Sequence, residues 1–246
     1  DVQAYSIDDI STTEIDDALS VSVLPDGNLR VGIHIAAPGL AVTRDSDFDK
    51  LARARMSTVY TPGEKIPMQP DNVISAFSLD AGCAVPALSL YVTANPATGE
   101  ILSHESKLER VAVVENLRHN LLDADITESA LDDQDHVLPY NDWIRPLWTL
   151  SLQLAKQRET VRGKPENNNR VEYSFYLDGP ADNPDSPVRI LPRQRNAPLD
   201  RLVAEYMILA NSTWGGLLAS LGVPGIYRSQ QTGRVRMSTH ALPHEA

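Results

Sequence analysis

The sequence predicts an α+β fold in which hairpins of mixed or antiparallel sheet are packed by helices. Apolar residues alternate along paired segments early in the chain, whereas they recur at helical spacing in longer segments of the second half. Strand pairs and helices are segregated rather than alternating, which distinguishes an α+β protein from an α/β protein. The chain has 246 residues, of which 42% are hydrophobic, so it is long enough to bury a substantial core.

Three hairpins are predicted, because apolar residues alternate on both sides of turn residues. They span residues 19–35, 87–111 and 170–191. The first turns at the sequence PDGN and the second at TG, and tight hairpin turns favour the glycine that both contain. One more short strand is predicted at residues 225–230.

Three helices are predicted from apolar spacing and from signals at their ends. They cover residues 45–56, 144–162 and 197–221. The first begins with acidic residues and serine, which satisfy the free N–H groups at a helix start. The last carries a strong apolar stripe and stops at a Gly-Val-Pro sequence. The proline-rich residues 62–74 are predicted to form a loop.

The composition excludes several classes of protein. The single cysteine, Cys83, permits neither an internal disulfide nor a cysteine-built zinc site, and its apolar neighbours predict a buried side chain. No apolar run of about 18 residues and no signal-peptide pattern is present, so a cytoplasmic protein without a membrane span is expected. The net charge of −11 argues against a nonspecific nucleic-acid coat but permits an enzyme that acts on nucleic acid.

The stretch SIDDISTTEIDDALSVSV places five carboxylates within ten positions, namely Asp8, Asp9, Glu14, Asp16 and Asp17. Like charges this close raise one another's pKa values unless a cation lies among them or all of them face water. Two structural interpretations are open, a helix-capping box at STTE and a solvated acidic turn. The functional hypothesis is a divalent metal site, because Mg²⁺ prefers oxygen ligands. Asp16 and Asp17 are adjacent, so both reach one site only if the backbone is irregular.

Five stretches follow one another in the order and spacing of a known family. IDDISTTEIDDALSV carries the acids, and VGIHIAAPG looks like a V-G-V-H-I-A-D segment. LARARMSTVYTPGEKIPMQPDNVISAFSLD is similar to a segment with V-Y followed by I-P-M-L-P. LVAEYMILANS and GIYRSQ look like the motifs E-E-x-M-x-x-A-N and L-Y-R-x-H. Together these stretches cover most of the chain, and it resembles the catalytic domain of the ribonuclease II / ribonuclease R exoribonuclease family.

The resemblance implies the RNB catalytic-domain fold and a processive 3′→5′ exonuclease. Such an enzyme hydrolyses single-stranded RNA to nucleoside 5′-monophosphates with Mg²⁺, and Mn²⁺ is a possible substitute. By position, Asp8 and Asp17 would be metal ligands and Asp16 the acid most critical to the chemistry. Glu14 would be a further ligand, and its longer arm favours ligation through water. Asp9 would be structural or peripheral.

The resemblance also implies residues that contact RNA. Tyr60 matches a base-stacking tyrosine, although a half-buried strand aromatic is an equally good interpretation of the sequence. His119 aligns loosely with a second stacking position. Glu205 matches an acid that contacts the terminal sugar, with a salt bridge at the rim as the alternative. Arg228 would meet the RNA backbone or an acidic partner.

Some positions depart from the family pattern. Ala37 and Gln69 stand where the family usually has Asp and Leu, and the sequence stops before the motif whose arginine clamps the phosphate. Residues 1–246 are therefore expected to be a single catalytic domain that lacks its C-terminal part and flanking RNA-binding domains, is monomeric, and degrades RNA poorly alone. Two alternatives stay open, a catalytically weak RNA-binding or scaffold relative and a Ca²⁺-stabilised structural domain.

Overall fold

The computed structural model of the chain describes residues 3–165, 171–194 and 197–227. The chain divides into two compact units, Asp1–Ala210 and Asn211–Ala246. Every strand described below belongs to the first unit. The elements are those of the predicted α+β class, with hairpins dominating the first half and long helices the second.

Nine strands and six α-helices lie in the described ranges. The strands are β1 (Ala4–Asp8), β2 (Asp17–Val23), β3 (Leu29–Ala36), β4 (Val59–Thr61), β5 (Glu64–Ile66), β6 (Ala84–Ala94), β7 (Ile101–Arg118), β8 (Val171–Leu177) and β9 (Val188–Gln194). The helices are α1 (Asp47–Arg55), α2 (Asp71–Phe77), α3 (His119–Leu122), α4 (Glu128–Asp132), α5 (Asn141–Arg162) and α6 (Pro198–Ser220). A short 3-10 helix covers Pro38–Leu40.

Five strands form a closed barrel in the order β1-β2-β3-β6-β7. Neighbouring strands are antiparallel, except that β7 closes onto β1 in parallel. The hairpins β4–β5 and β8–β9 are separate two-stranded sheets. Closure gives each barrel strand two neighbouring strands among the described residues.

The predicted hairpins are confirmed. The β2–β3 pair begins with Asp17 opposite Ile35. Its turn contains Gly27 at a φ of +82°, in the left-handed region that glycine adopts without strain. In the second hairpin, β7 extends past the predicted end at residue 111 to Arg118. This extension lies beside β1, where Asp8 is opposite Arg118.

The first unit buries both apolar and polar side chains. One buried apolar cluster comprises Ala4, Ile15, Ala18, Leu79, Val85, Ala87, Val111 and Val113. Strands β2, β3 and β6 also contribute buried polar side chains that contact one another. The ring of His34 contacts Ser20 Oγ through Nε2 at 2.9 Å and Ser89 Oγ through Nδ1 at 2.8 Å. Each polar atom of His34 therefore has a partner, as burial requires.

The helix α5 packs against the barrel. Trp143 Nε1 donates to the carbonyl oxygen of Leu19 at 3.2 Å, and the rings of Tyr140 and Trp143 contact Tyr5. The predicted helix at residues 144–162 is thus confirmed and begins a few residues earlier, at Asn141. No helix in the described ranges is both long and apolar enough to cross a membrane.

Three local predictions were wrong. Residues 62–74 are not a loop, because they contain β5 and most of α2. Prolines at positions 62, 67 and 70 lie outside these short elements, as expected for a residue that cannot donate a backbone hydrogen bond. Cys83 is exposed, since it lies in the turn before β6. Residues 225–227 are not a strand, and the rest of that predicted segment lies outside the described residues.

Candidate active site

The acids lie at one end of the barrel, where β1 ends at Asp8 and β2 begins at Asp17. These strands are antiparallel neighbours, so the end of one and the start of the other share the same rim. Residues 9–16 connect them as an irregular segment, which we call the acidic loop. Asp16 therefore precedes the regular strand, which meets the condition for adjacent acids to serve one site.

The first half of the acidic loop is fastened through Asp9. Its carboxylate accepts hydrogen bonds from the N–H and hydroxyl of Ser11 and from Asn120 Nδ2, at 2.6–2.9 Å. Arg118 donates to the carbonyl oxygen of Asp9 at 2.8 Å. Burial raises the pKa of Asp9, but these hydrogen bonds outweigh it and lower the pKa to about 2. These hydrogen bonds make Asp9 a fastening point of the acidic loop.

The second half of the loop is fastened through its backbone. The N–H of buried Ile15 donates to Ser78 Oγ at 3.0 Å, and its carbonyl oxygen accepts from the N–H of Leu79 at 2.9 Å. The carbonyl oxygen of Asp16 accepts from the N–H of Ala36 at 2.9 Å. Partners from distant segments thus fix the backbone on either side of the Asp16 side chain.

Asp8, Asp16 and Asp17 are close enough to perturb one another. Burial, followed by the charges of Asp8 and Asp16, raises the pKa of Asp17 to about 7. Burial also raises the pKa of Asp8, with a smaller contribution from Asp16, although Ser6 and Arg118 oppose the shift. The pKa of Asp16 is raised by burial and then by the charge of Glu14. The fold therefore holds these carboxylates together against their mutual repulsion.

Glu14 differs from the three aspartates because it has a cationic partner. Lys65 Nζ, on β5, lies 3.0 Å from Glu14 Oε2 and donates to Thr13 Oγ1 at 2.7 Å. Glu14 and Asp16 line a cavity of about 60 Å³ together with Gln69. The Oε1 atom of Gln69 is buried and has no hydrogen-bond partner among the described residues. Glu14, which stands where many family members have Asp, therefore lines the same cavity as Gln69, another position that departs from the family pattern.

The donor chemistry of the acids fits a hard divalent cation. Carboxylate oxygens are the ligands that Mg²⁺ prefers, and a cation would stabilise the charged form of Asp17, whose pKa is raised by burial and by the charges of Asp8 and Asp16. Within the described ranges, however, no group of three or more His, Cys, Asp or Glu side chains is already arranged to hold a metal ion. The acids fit the cation in charge and chemistry, and their assignment as ligands remains a prediction.

Tyr60 lies on the small β4–β5 hairpin and is 73% exposed. The structure therefore does not support the alternative interpretation of a half-buried strand aromatic. Tyr60 is directly opposite Lys65 in the antiparallel pair. Because Lys65 reaches Glu14, the hairpin links an open aromatic side chain to the acidic loop.

Two of the other residues expected to contact RNA are buried and paired with charged side chains. His119 is 6% exposed, with Nε2 at 3.6 Å from Asp9 Oδ2 and Nδ1 at 3.4 Å from Asp123 Oδ2. Little of its ring is open to a base, so we assign it no stacking role. Glu205 is buried and paired with Arg158 of α5, which is the salt-bridge alternative. Arg228 lies outside the described residues.

Several residues that shape the site were not singled out in the sequence. They are Ser78, Lys65, Arg118 and Asn120, all distant from the acidic loop along the chain. Local pattern carries no sign of such partners. The one available clue was the segment ENLRHN around His119, where the neighbouring Arg118 and Asn120 hold the loop instead.

The model of one protein family, described as the RNB domain, matches residues 1–240. The chain belongs to the RNB domain family. The resemblance drawn from the five sequence stretches is thereby confirmed.

Several curated relatives of this RNB domain are ribonucleases by name. An uncharacterized ribonuclease of Synechocystis is 30% identical over 93% of the chain, which covers 32% of the relative. Exoribonuclease 2 of Escherichia fergusonii is 31% identical over 84% of the chain, which covers 31% of that protein. The chain thus spans about one third of the length of these relatives.

Solved structures share the fold of this RNB domain. RNase R of Mycoplasma genitalium, in complex with ribose-methylated single-stranded RNA, matches 90% of the chain with a TM-score of 0.73 and 17% identity. A yeast pseudonuclease matches 90% of the chain with a TM-score of 0.64 and 17% identity. The chain covers 33% and 25% of these two structures. At this level of identity the likeness establishes the fold alone.

Proposed function

We propose that the chain is the catalytic domain of a Mg²⁺-dependent 3′→5′ exoribonuclease. Its substrate is single-stranded RNA, which it hydrolyses processively to nucleoside 5′-monophosphates. The observation that carries this proposal is the grouping of Asp8, Asp16 and Asp17 at the barrel rim, with the pKa of Asp17 raised to about 7 by burial and by its acidic neighbours. Perturbed acids of this kind concentrate at functional sites.

Family membership supports the same reaction class. The chain belongs to the RNB domain family, and curated relatives carry the name exoribonuclease. RNase R of Mycoplasma genitalium, which shares the fold, has been solved with single-stranded RNA. We extend both facts to this chain, and further propose that it acts in the cytoplasm as a monomer.

Each acid has a distinct part in the proposed reaction. Asp8 and Asp17 would hold Mg²⁺, which when bound polarises the scissile phosphodiester. Asp16, exposed at the end of the fastened loop, would act at the reacting phosphate beside them. The hydrogen bonds at Ile15 and Asp16 keep this carboxylate from drifting, which preserves its alignment with the phosphate.

Tyr60 would provide a stacking surface for a base of the RNA. Its exposed ring suits this role, because every base presents a π-face and stacking therefore needs no particular sequence. The hairpin that carries Tyr60 also carries Lys65, so a base on this ring would lie near the acidic loop.

The test compares Asp16→Asn with the unaltered sequence, both in the intact protein, on 5′-labelled poly(A) in Mg²⁺ or Mn²⁺. The substitution removes a charge and keeps the shape, so we expect turnover to fall about 1,000-fold while RNA affinity changes less than about twofold. Successive shortening from the 3′ end, with 5′-monophosphate products, is the expected pattern. Internal cleavage, or unchanged turnover in Asp16→Asn, would contradict the proposal.

A second candidate is a catalytically weak relative that binds RNA as a scaffold. The pairing of Glu14 with Lys65 favours it, because that carboxylate is engaged by a lysine, and the fold also occurs in a yeast pseudonuclease. This candidate predicts RNA affinity without any product in either metal. The same poly(A) assay therefore separates the two, provided that binding is measured on the same preparation.

A further inference from the structure

Lys65 lies among the acids in a partly buried position. Its side chain is 24% exposed and that of Glu14 is 15% exposed. Solvent and salt screen a pair of this kind less than a pair on the open surface. The second bond, to Thr13 Oγ1, fixes the ammonium group at the acidic loop rather than letting it swing into solvent.

Lys65 contacts the second half of the acidic loop, at Thr13 and Glu14. It opposes the rise in the pKa of Asp16 that burial and Glu14 cause. The pKa of Asp17 is raised by burial and by the charges of Asp8 and Asp16. Lys65 therefore compensates the negative charge of the loop at Glu14, whereas the groups that oppose the pKa rise of Asp8 include Ser6 and Arg118 instead.

We propose that Lys65 is a positioning residue that withholds Glu14 from direct metal ligation and thereby weakens the affinity of the site for divalent cations. The inference rests on the proposed function, because it concerns the same metal site. The side chain of Glu14 can ligate a metal ion only through its carboxylate, and Lys65 Nζ lies 3.0 Å from Oε2 of that carboxylate. A divalent ion that recruited Glu14 would have to displace this ammonium group and approach a fixed positive charge.

The chain offers a matched control for this lysine. Lys107 Nζ also lies 3.0 Å from a glutamate oxygen, that of Glu105 on the barrel surface. Lys107 does not contribute to the pKa shifts of Asp8, Asp16 or Asp17. Lys107→Met therefore removes the same charge from a comparable pair without acting on the metal site.

The test is a calorimetric titration with Mn²⁺ alone, in the absence of RNA. We expect Lys65→Met to bind Mn²⁺ about three- to tenfold more tightly than the unaltered protein, because a positive charge near the ion is gone. Lys107→Met should stay within about twofold of the unaltered protein. Lys65→Arg, which keeps the charge, should bind Mn²⁺ with an affinity near that of the unaltered protein. Melting curves in EDTA establish that each variant is folded.

A second background tests the route through Glu14. In Glu14→Gln the carboxylate is already absent, so the gain from Lys65→Met should shrink to less than about twofold. Equal or weaker Mn²⁺ binding in Lys65→Met would overturn the inference. If that result appears while Mn²⁺ still binds the unaltered protein and is lost in Asp17→Asn, the inference alone fails and the metal site of the proposed function stands. If neither the unaltered protein nor Lys65→Met binds Mn²⁺, the metal site of the proposed function fails with it.

Discussion

Two groups of polar residues in the barrel differ in how their charges and hydrogen bonds are balanced. Inside the barrel, His34 contacts Ser20 and Ser89 through its two ring nitrogens, and burial keeps the ring neutral by lowering its pKa to about 4. At the rim, burial and acidic neighbours raise the pKa of Asp17 to about 7. Both ring nitrogens of His34 have hydrogen-bond partners. The carboxylates of the rim, by contrast, repel one another.

The difference separates polar residues that stabilise the fold from polar residues that prepare a reaction. A satisfied buried network specifies one arrangement of strands. Acids that are held together despite repulsion cost stability, and such strain accumulates where a ligand will relieve it. The predictions below test this contrast and are ordered by the size of the expected change.

Replacing His34 should cause the largest loss of stability. His34→Leu leaves the buried hydroxyls of Ser20 and Ser89 without their shared partner, so the free energy of unfolding should fall by about 3 kcal/mol. Urea denaturation measures the change. His34→Gln, whose amide can still reach both hydroxyls, should lose less, and equal losses in the two variants would argue against the hydrogen bonds as the cause.

The same residue predicts a dependence on pH. The pKa of His34 is about 4 in the folded protein and ordinarily about 6.5, so its contribution to stability is fully present above pH 6.5 and is lost as the pH falls toward 4. The slope within this window is about 1.4 kcal/mol per pH unit, which sums to about 3 kcal/mol. Subtracting the pH profile of His34→Gln isolates this contribution from those of the carboxylates. A flat difference between the two profiles would refute it.

Removing a rim acid should have the opposite sign. Asp17→Asn relieves repulsion with Asp8 and Asp16, so we expect the free energy of unfolding in EDTA to rise by about 2 kcal/mol. Asp9→Asn is the matched control, because hydrogen bonds favour the charged form of Asp9, and it should lose about 1 kcal/mol. Changes of the same sign in both variants would contradict the division of the loop into fastened and strained acids.

The smallest effect is expected at Tyr60. Tyr60→Ala should weaken single-stranded RNA binding about fivefold, or about 1 kcal/mol, because one stacking surface is lost. Its melting temperature should not change, since the side chain is exposed. Tyr60→Phe keeps the ring and should bind like the unaltered protein in the same fluorescence-anisotropy titration. Equal affinity in Tyr60→Ala would remove the stacking role.

Local patterns predicted the elements that local residues determine. The glycine turn at Gly27 and the apolar spacing of α5 were sufficient to place a hairpin and a helix. The prolines in residues 62–74 led to a wrong prediction of a loop, because they flank the short elements β5 and α2 and do not interrupt them. The apolar neighbours of Cys83 misled as well, since they belong to a strand that starts one residue later.

The site was predicted only where it is contiguous in the sequence. The acids of residues 8–17 were identifiable because they are neighbours along the chain. The groups that fasten or neutralise them were not, because Lys65 and Arg118 reach the loop across 52 and 109 positions. His119 was given a stacking role by alignment, and the fold encloses it between Asp9 and Asp123 instead.

The parallel closure of β7 onto β1 has a consequence for synthesis. The strand that leads into the acidic loop finds one of its two partners more than 100 positions later. Arg118 and Asn120, which tether the loop at Asp9, arrive last of all. A chain emerging from the ribosome therefore exposes its first strand half-paired, and its acids acquire their final arrangement only after residue 120 has been translated and released from the exit tunnel.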